Sequence, residues 1–444
     1  MKEATATSPF LALDQAVNHR WGDRYLRWLS VVLLGYAILG RGFAYFGVPP
    51  FYIGEISLLL GLIALLYSGS LTHIFYFVPA RLLLVLMIWG SACTLPYLFH
   101  YRLEALRDAA LWGYGLFAFI VVGLLIQRPT RLKLLLLWYR RLAVAFLCTI
   151  WALFLVKRLG ILSMPQLPGS PVALGVGKGG DMMVHLTGVT AFMLLGMART
   201  RLIYYLLIGI TFLIGATISR GGMLSFALPI LVLFVLKPPQ IKVARFFYGL
   251  CLLITILLLL DPATSIKKRS VSAEQLWTNI VSVVGEADTG NLDSTKEWRL
   301  EWWERIISYT FGGPYFWTGK GFGINLADDD GFQVQADGSL RSPHNAHMNM
   351  LARAGVPGLL LWLSLQLSWV WHLGQQWLQS RREEDRVWEG VFLFLIVYWT
   401  AFMVNASFDV FLEGPMGGIW FWTLFGVGLA ALHIYKLRPE VLRT

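Results

Sequence analysis

Long apolar runs separated by short charged connections make up most of this chain, and two of them, 202–218 and 246–260, are continuously apolar with no strand-like alternation. A helix crosses a hydrocarbon layer of roughly 30 Å with about 20 residues, so the pattern predicts membrane-spanning helices. Twelve spans are expected, at 26–46, 53–69, 80–99, 106–126, 138–157, 182–198, 202–219, 221–237, 244–261, 354–374, 387–405 and 415–436. A closed barrel would need roughly ten-residue alternating segments, which the sequence does not contain.

One stretch, about 261–354, breaks the pattern by being long, polar and rich in aromatics. Within it, Trp298, Trp302 and Ile306 recur at helical spacing, with Trp303 and Ile307 close by. This predicts an amphipathic helix whose apolar stripe suits a membrane interface or the ends of the bundle. The resulting plan has a tail at 1–25, spans one to nine over 26–261, an outer loop domain at 262–353, spans ten to twelve over 354–436 and a tail at 437–444. The fold class is therefore an all-α polytopic membrane protein with one large loop domain between spans nine and ten.

Composition agrees: 57% of residues are hydrophobic and only 14% charged, values that a soluble chain of 444 residues cannot accommodate in its core. The net charge of +11 follows from a bias in the short connections, not from a nucleic-acid surface. Arg20, Arg24, Arg27, Arg128, Arg131, Lys133, Arg140, Arg141, Arg381 and Arg382 fall on one side, while the other side's short connections hold few basic residues. The basic side is expected to be the cytoplasm, which puts both termini there and the 262–353 loop outside. Residues 1–25 lack the pattern of a cleavable signal. Cys93, Cys148 and Cys251 fall within or at the ends of apolar runs and read as small buried residues.

Three residues stand out chemically. Arg220 lies in Ala216-Thr217-Ile218-Ser219-Arg220-Gly221-Gly222, between two apolar runs with almost no loop. An arginine there costs roughly 2.5–3.5 kcal/mol at membrane depth unless it is paired, functional or snorkelling to headgroups. The glycines beside it permit a tight turn in which backbone N–H groups and guanidinium face one anion. Arg299 sits on the amphipathic helix beside Glu297, Glu301 and Glu304, which are ready surface partners. His344, in Ser342-Pro343-His344-Asn345-Ala346-His347, lies just before the next helical pattern and is either a general base or a capping residue. His344 with His347 also reads as a metal pair lacking further ligands, and Asp328-Asp329-Asp330 as an acidic motif or a solvated turn. Glu55, Asp409 and Glu413, near outer ends, are candidates to orient an arginine or bind hydroxyls.

In order and placement these elements resemble the O-antigen ligase and O-antigen polymerase superfamily of bacterial envelope glycosyltransferases. The resemblance rests on the Ser-Arg-Gly turn at Thr217 to Gly222, on Arg-x-x-x-Trp at Arg299 to Trp303 followed by Trp317-Thr318-Gly319-Lys320-Gly321-Phe322-Gly323, and on the His-Asn turn leading to Gly355-Val356-Pro357-Gly358. It implies a GT-C-like architecture in the bacterial inner membrane, with the active site facing the periplasm. It also implies transfer of a glycan from undecaprenyl diphosphate to an acceptor sugar hydroxyl, the acceptor being lipid A core for a ligase or a second lipid-linked unit for a polymerase.

By matching positions, His344 would be the base and Arg220 and Arg299 the diphosphate clamp, with no metal or other cofactor. Ser219, Trp302, Trp303, Asn345 and His347 would be supporting residues, the tryptophans stacking on sugar. The readings left beside it are a protein glycan transferase, a transporter or flippase, and a non-catalytic assembly factor; a transporter usually shows repeated halves with midplane charges, which this chain lacks.

Overall fold

The structure is a computed structural model that describes residues 9–159, 161, 163–168, 170, 172–175, 178–198, 201–237 and 290–443. The expected ninth span, 244–261, and the loop up to 289 lie outside the described residues. The helices are α1 (Pro9–Leu39), α2 (Arg41–Ala44), α3 (Ile53–Leu66), α4 (Leu71–Ile74), α5 (Val78–Tyr101), α6 (Leu103–Gly113), α7 (Leu116–Gln127) and α8 (Thr130–Leu159). They continue as α9 (Gly179–Leu194), α10 (Leu202–Ile218), α11 (Arg220–Leu236), α12 (Gly290–Phe311), α13 (Leu326–Asp330), α14 (Ala346–Arg382), α15 (Arg386–Ala406) and α16 (Pro415–Leu437). Strands β1 (Gly47–Val48) and β2 (Phe51–Tyr52) form a small antiparallel hairpin.

The protein is a mostly helical polytopic membrane protein. Among the described residues five helices are long and apolar enough to cross a membrane, α5, α14, α15, α16 and the Thr130–Val156 part of α8. A sixth span results if α6 and α7, bent by 44°, act together, and α3, α10 and α11 are shorter apolar helices. The helices coincide with the apolar runs, with one difference of substance at the first: α1 starts at Pro9, so helix runs through what the polarity of residues 9–25 suggested was a tail.

The core of the bundle is α16 against α7, α15 against α9, α11 and α14, and α14 against α5. Its facing surfaces carry Phe117, Ile120, Phe392, Leu395, Phe421 and Trp422, all buried. In α16 almost every residue is buried, which explains an all-round apolar sequence with no polar stripe.

The cap packs on one end of this bundle around its own small core of Trp302, Ile306, Leu326, Ala327, Leu351, Ala352 and Val356. Of the two settings expected for the stripe on α12, a membrane interface or the ends of the bundle, it takes the second: Trp302 and Ile306 are fully buried in the cap. A helix stripe records that a face is buried, not what buries it, and here α14 and the 316–332 loop supply the partner.

α14 is two helices joined at Gly355, whose backbone takes φ 69° and ψ −172°. A Cβ there would stand 2.5 Å from the carbonyl oxygens of Phe316 and Trp317, so only glycine fits. The carbonyls freed at the break are taken from outside the helix. Lys320 N donates to Ala352 O at 2.7 Å, Gly321 N to Arg353 O at 3.1 Å and Trp89 Nε1 to Ala354 O at 2.9 Å. Pro357 then sits in the first turn of the second half, where its missing N–H costs nothing. The glycine-rich 317–323 segment is therefore the collar that lets the chain pass from cap into bundle.

Candidate functional site

Four segments meet under the cap. Ser219 caps α11, its hydroxyl accepting from Gly222 N at 3.0 Å, and this places Arg220 at the first helical position. Gly222 approaches α9 so closely that a Cβ would lie 3.1 Å from Gly180 Cα. At Gly221 a Cβ would stand 3.0 Å from Phe408 Cβ, so the arginine turn rests on the segment after α15. From the cap, Arg299 Nη1 on α12 donates to Phe408 O at 3.1 Å. Arg220, 79 positions back in sequence by the numbering, and Arg299 thereby come close enough for each charge to act on the other.

Arg299 does not pair with Glu297, Glu301 or Glu304 on its own helix. Its Nε is buried without a hydrogen-bond partner. Burial lowers its pKa, Asp409 opposes this, and the charge of Arg220 adds to the lowering. An arginine nonetheless remains protonated, so the cost appears as an unsatisfied demand for negative charge.

His344 occupies the left-handed region with φ 54°, uncommon for a residue with a side chain and enriched at functional sites. The turn is held by Trp303 Nε1, which donates to Pro343 O at 2.9 Å, and by Asn345, whose side-chain oxygen accepts from His347 N at 2.9 Å and Met348 N at 3.1 Å. His344 is thus not the cap of α14; Asn345 is. Freed from capping, the imidazole lies partly exposed, edge-on to Trp298 with ring centroids 6.4 Å apart, and its Nδ1 is 3.4 Å from Asp409 Oδ1. Lys178, the residue before α9, reaches the same oxygen at 2.5 Å. Burial raises the Asp409 pKa, but the His344 contact and the Lys178 charge outweigh it and hold the carboxyl below the usual carboxylate range. Asp409 is ionised, and an Nδ1–H on His344 directed at it leaves Nε2 open as a proton acceptor.

The remaining expectations are sorted by their contacts. His347 accepts from Trp362 Nε1 at 3.0 Å through Nδ1 and faces Ser407 Oγ at 3.2 Å through Nε2, so it is a packed, neutral imidazole and not half of a pair with His344. Trp302 offers no face to a sugar: it stacks on Phe332 with 5.4 Å between centroids and donates to Asp330 at 2.7 Å. The acidic run is held by protein donors, Asp329 and Asp330 by Lys320 and Asp328 by Asn325 and Gln333. Among the described residues no three His, Cys, Asp or Glu side chains converge as a metal site. Glu55 receives Tyr114 OH at 2.9 Å, away from the arginines. Cys93 is buried as expected and Cys148 is exposed on the chain's outer surface; Cys251 lies outside the described residues.

Two further residues complete the site: Asp409, expected with Glu55 and Glu413 as a candidate to orient an arginine or bind hydroxyls, and Lys178, which sequence reasoning did not single out. Neither sits in a motif, and their meeting spans 231 positions.

The described residues thus form a helical polytopic membrane protein whose cap brings two half-buried arginines, a histidine with left-handed backbone and a carboxylate together. Residues 186–363 match the family model described as O-Antigen ligase. Over that segment the chain is similar to the O-antigen ligase family, a likeness that supports a glycan-transfer function. A search of curated proteins gave no match. The matched segment contains Arg220, Arg299 and His344, while Lys178 lies shortly before it and Asp409 well beyond its end.

Proposed function

We propose that the chain is a glycosyltransferase of the ligase type, moving a glycan from undecaprenyl diphosphate onto a sugar hydroxyl of lipid A core. The observation that carries this reading is the juxtaposition of His344 on Asp409 with the Arg220 and Arg299 pair. A base and an anion seat side by side are what inverting attack at an anomeric carbon bearing a diphosphate requires. The acceptor oxygen forms a bond to that carbon while the bond from carbon to the diphosphate oxygen breaks, and the electron pair leaves with the diphosphate. The acceptor proton passes to His344 Nε2, and the resulting imidazolium is stabilised by Asp409.

General-base catalysis of this kind contributes about 10²–10⁴-fold. Charge developing on the diphosphate is met by guanidiniums under the cap, each such interaction contributing on the order of 10²–10³-fold. Two arginines so placed supply the charge that a divalent ion supplies elsewhere. The charge bias of the connections supports a reading in which this end of the bundle faces the periplasm from the inner membrane and both termini are cytoplasmic.

The test is an acceptor assay with the purified chain and a lipid-linked donor. A single addition to lipid A core is the expected product. A ladder growing on the lipid carrier assigns the same site to a polymerase, and no transfer to either acceptor overturns the reading.

A further inference from the structure

Three donors converge on one oxygen. Asp409 Oδ1 lies 2.5 Å from Lys178 Nζ, 2.8 Å from its neighbour Val410 N and 3.4 Å from His344 Nδ1. The longest contact is the one to the base, and 3.4 Å is at the outer limit of a hydrogen bond. The shortest is to an ammonium on a flexible four-carbon stem whose side chain is 51% exposed. Lys178 therefore holds, from the solvent side, the oxygen that His344 needs. The other charged groups around Asp409 are Asp181, Arg299 and Glu413, with Arg220 acting on Arg299.

We infer that Lys178 is a positioning residue that ties readiness of the base to arrival of the donor. In the resting protein it occupies Asp409 Oδ1. When a diphosphate enters beside Arg220 and Arg299, its oxygens take the ammonium, and the released carboxylate oxygen closes on His344 Nδ1–H. The direction of the exchange follows from charge: a diphosphate is a stronger partner for an ammonium than a carboxylate already shared with a backbone N–H and an imidazole. A lysine suits the task because its donors swivel about one point, whereas a guanidinium fork is fixed. The consequence is a base that reaches full strength only with donor in place.

The inference rests on the glycan-transfer reading above, and the experiment separates the two. The full chain in lipid nanodiscs is compared with Lys178→Met, Lys178→Arg and His344→Ala, using undecaprenyl diphosphate as binding probe and donor turnover as a function of pH. Lys178→Met is expected to weaken undecaprenyl diphosphate binding and raise the donor KM by about tenfold or more, with kcat within about threefold of wild type. The acid limb of kcat/KM, which reports the free enzyme, is expected to move up by about half a pH unit because a cation has left the resting site. The acid limb of kcat, which reports the donor complex, is expected to stay.

Lys178→Arg restores binding but leaves Asp409 more firmly held, so it lowers kcat. Unchanged binding with both limbs in place overturns the inference, as does an equal shift of both limbs, which means that the lysine stays on Asp409 throughout. The half-exposed position makes misfolding of Lys178→Met an unexpected outcome; if it occurs, Lys178→Gln gives the same two readouts. Wild-type turnover by His344→Ala removes the functional reading itself. An inactive His344→Ala beside a Lys178→Met that matches wild type removes only the lysine.

Discussion

Two carboxylates under the cap, Asp108 and Asp409, meet cations in opposite ways. Asp108 on α6 receives Arg341 Nη2 at 3.0 Å, Arg353 Nη1 at 2.9 Å and Gly323 N at 3.1 Å, while Glu104 takes another Arg341 nitrogen at 3.0 Å. What remains of Arg353 goes to Asn349 Oδ1 at 2.9 Å and Ile324 O at 3.1 Å. Carboxylates and guanidiniums are matched there. At Asp409 the carboxylate faces Lys178, His344 and Arg299, with Arg220, Asp181 and Glu413 adjoining and a buried Arg299 Nε unpartnered. A matched cluster fastens the cap to the bundle; a cluster that leaves a buried guanidinium N–H without an acceptor is a seat for an anion. Arginine count alone would not have told them apart.

The largest effect that distinguishes them is on folding. Arg353→Met leaves Asp108 buried with half its partners and is expected to cost about 3–5 kcal/mol, read as a large drop in melting temperature in detergent. If the melting point holds, the cluster is not the fastening. Next comes Arg299→Gln, expected to reduce glycan transfer on the order of 10²–10³-fold with the melting temperature unchanged, since its buried Nε has no hydrogen-bond partner to lose. A comparable loss of stability would place Arg299 with Arg353 as a structural residue.

Asp409→Asn gives up a charge-assisted hydrogen bond of about 1.5–3 kcal/mol, so transfer should fall roughly tenfold to a hundredfold, in kcat more than in KM. A pure KM effect would make Asp409 a binding residue and not the support of the base. The smallest effect concerns Glu413, which acts on both clusters. Burial pushes its carboxyl up to about 7 from an ordinary 4.5. The folded protein then holds a proton that the unfolded chain has released between those values, so this group's stabilisation is present below about 4.5 and is lost as pH rises to about 7. Glu413→Gln should flatten that part of the stability profile measured between pH 5 and pH 8; parallel profiles would show Glu413 ionised in the fold.

Much of this was legible beforehand, for physical reasons that also mark the limit. Apolar runs report burial in lipid or protein directly, so α5, α8, α15 and α16 lie where the runs lie. Arg220 carried a local signal, because an arginine between two apolar runs is costly, whereas Arg299 and His344 each had an ordinary alternative and stood out through the resemblance. Asn345 and Ser219 were legible as neighbours of the site, but their side chains are spent on helix caps. Trp302, expected from the resemblance to stack on sugar, is instead sealed in the cap. Asp409, Lys178 and Asp108 were not legible as a group, since their meaning comes from partners such as Arg341, 233 positions away from Asp108. Charge matching is a property of the folded arrangement, and no window of sequence contains both sides of it.

The seating of a diphosphate at the Asp409 cluster is tested most directly by titration of undecaprenyl diphosphate into the purified chain and into Arg220→Met with Arg299→Met. The double variant, folded and with its melting temperature preserved, is expected to bind at least about a hundredfold more weakly. Equal affinity in the two proteins would contradict it.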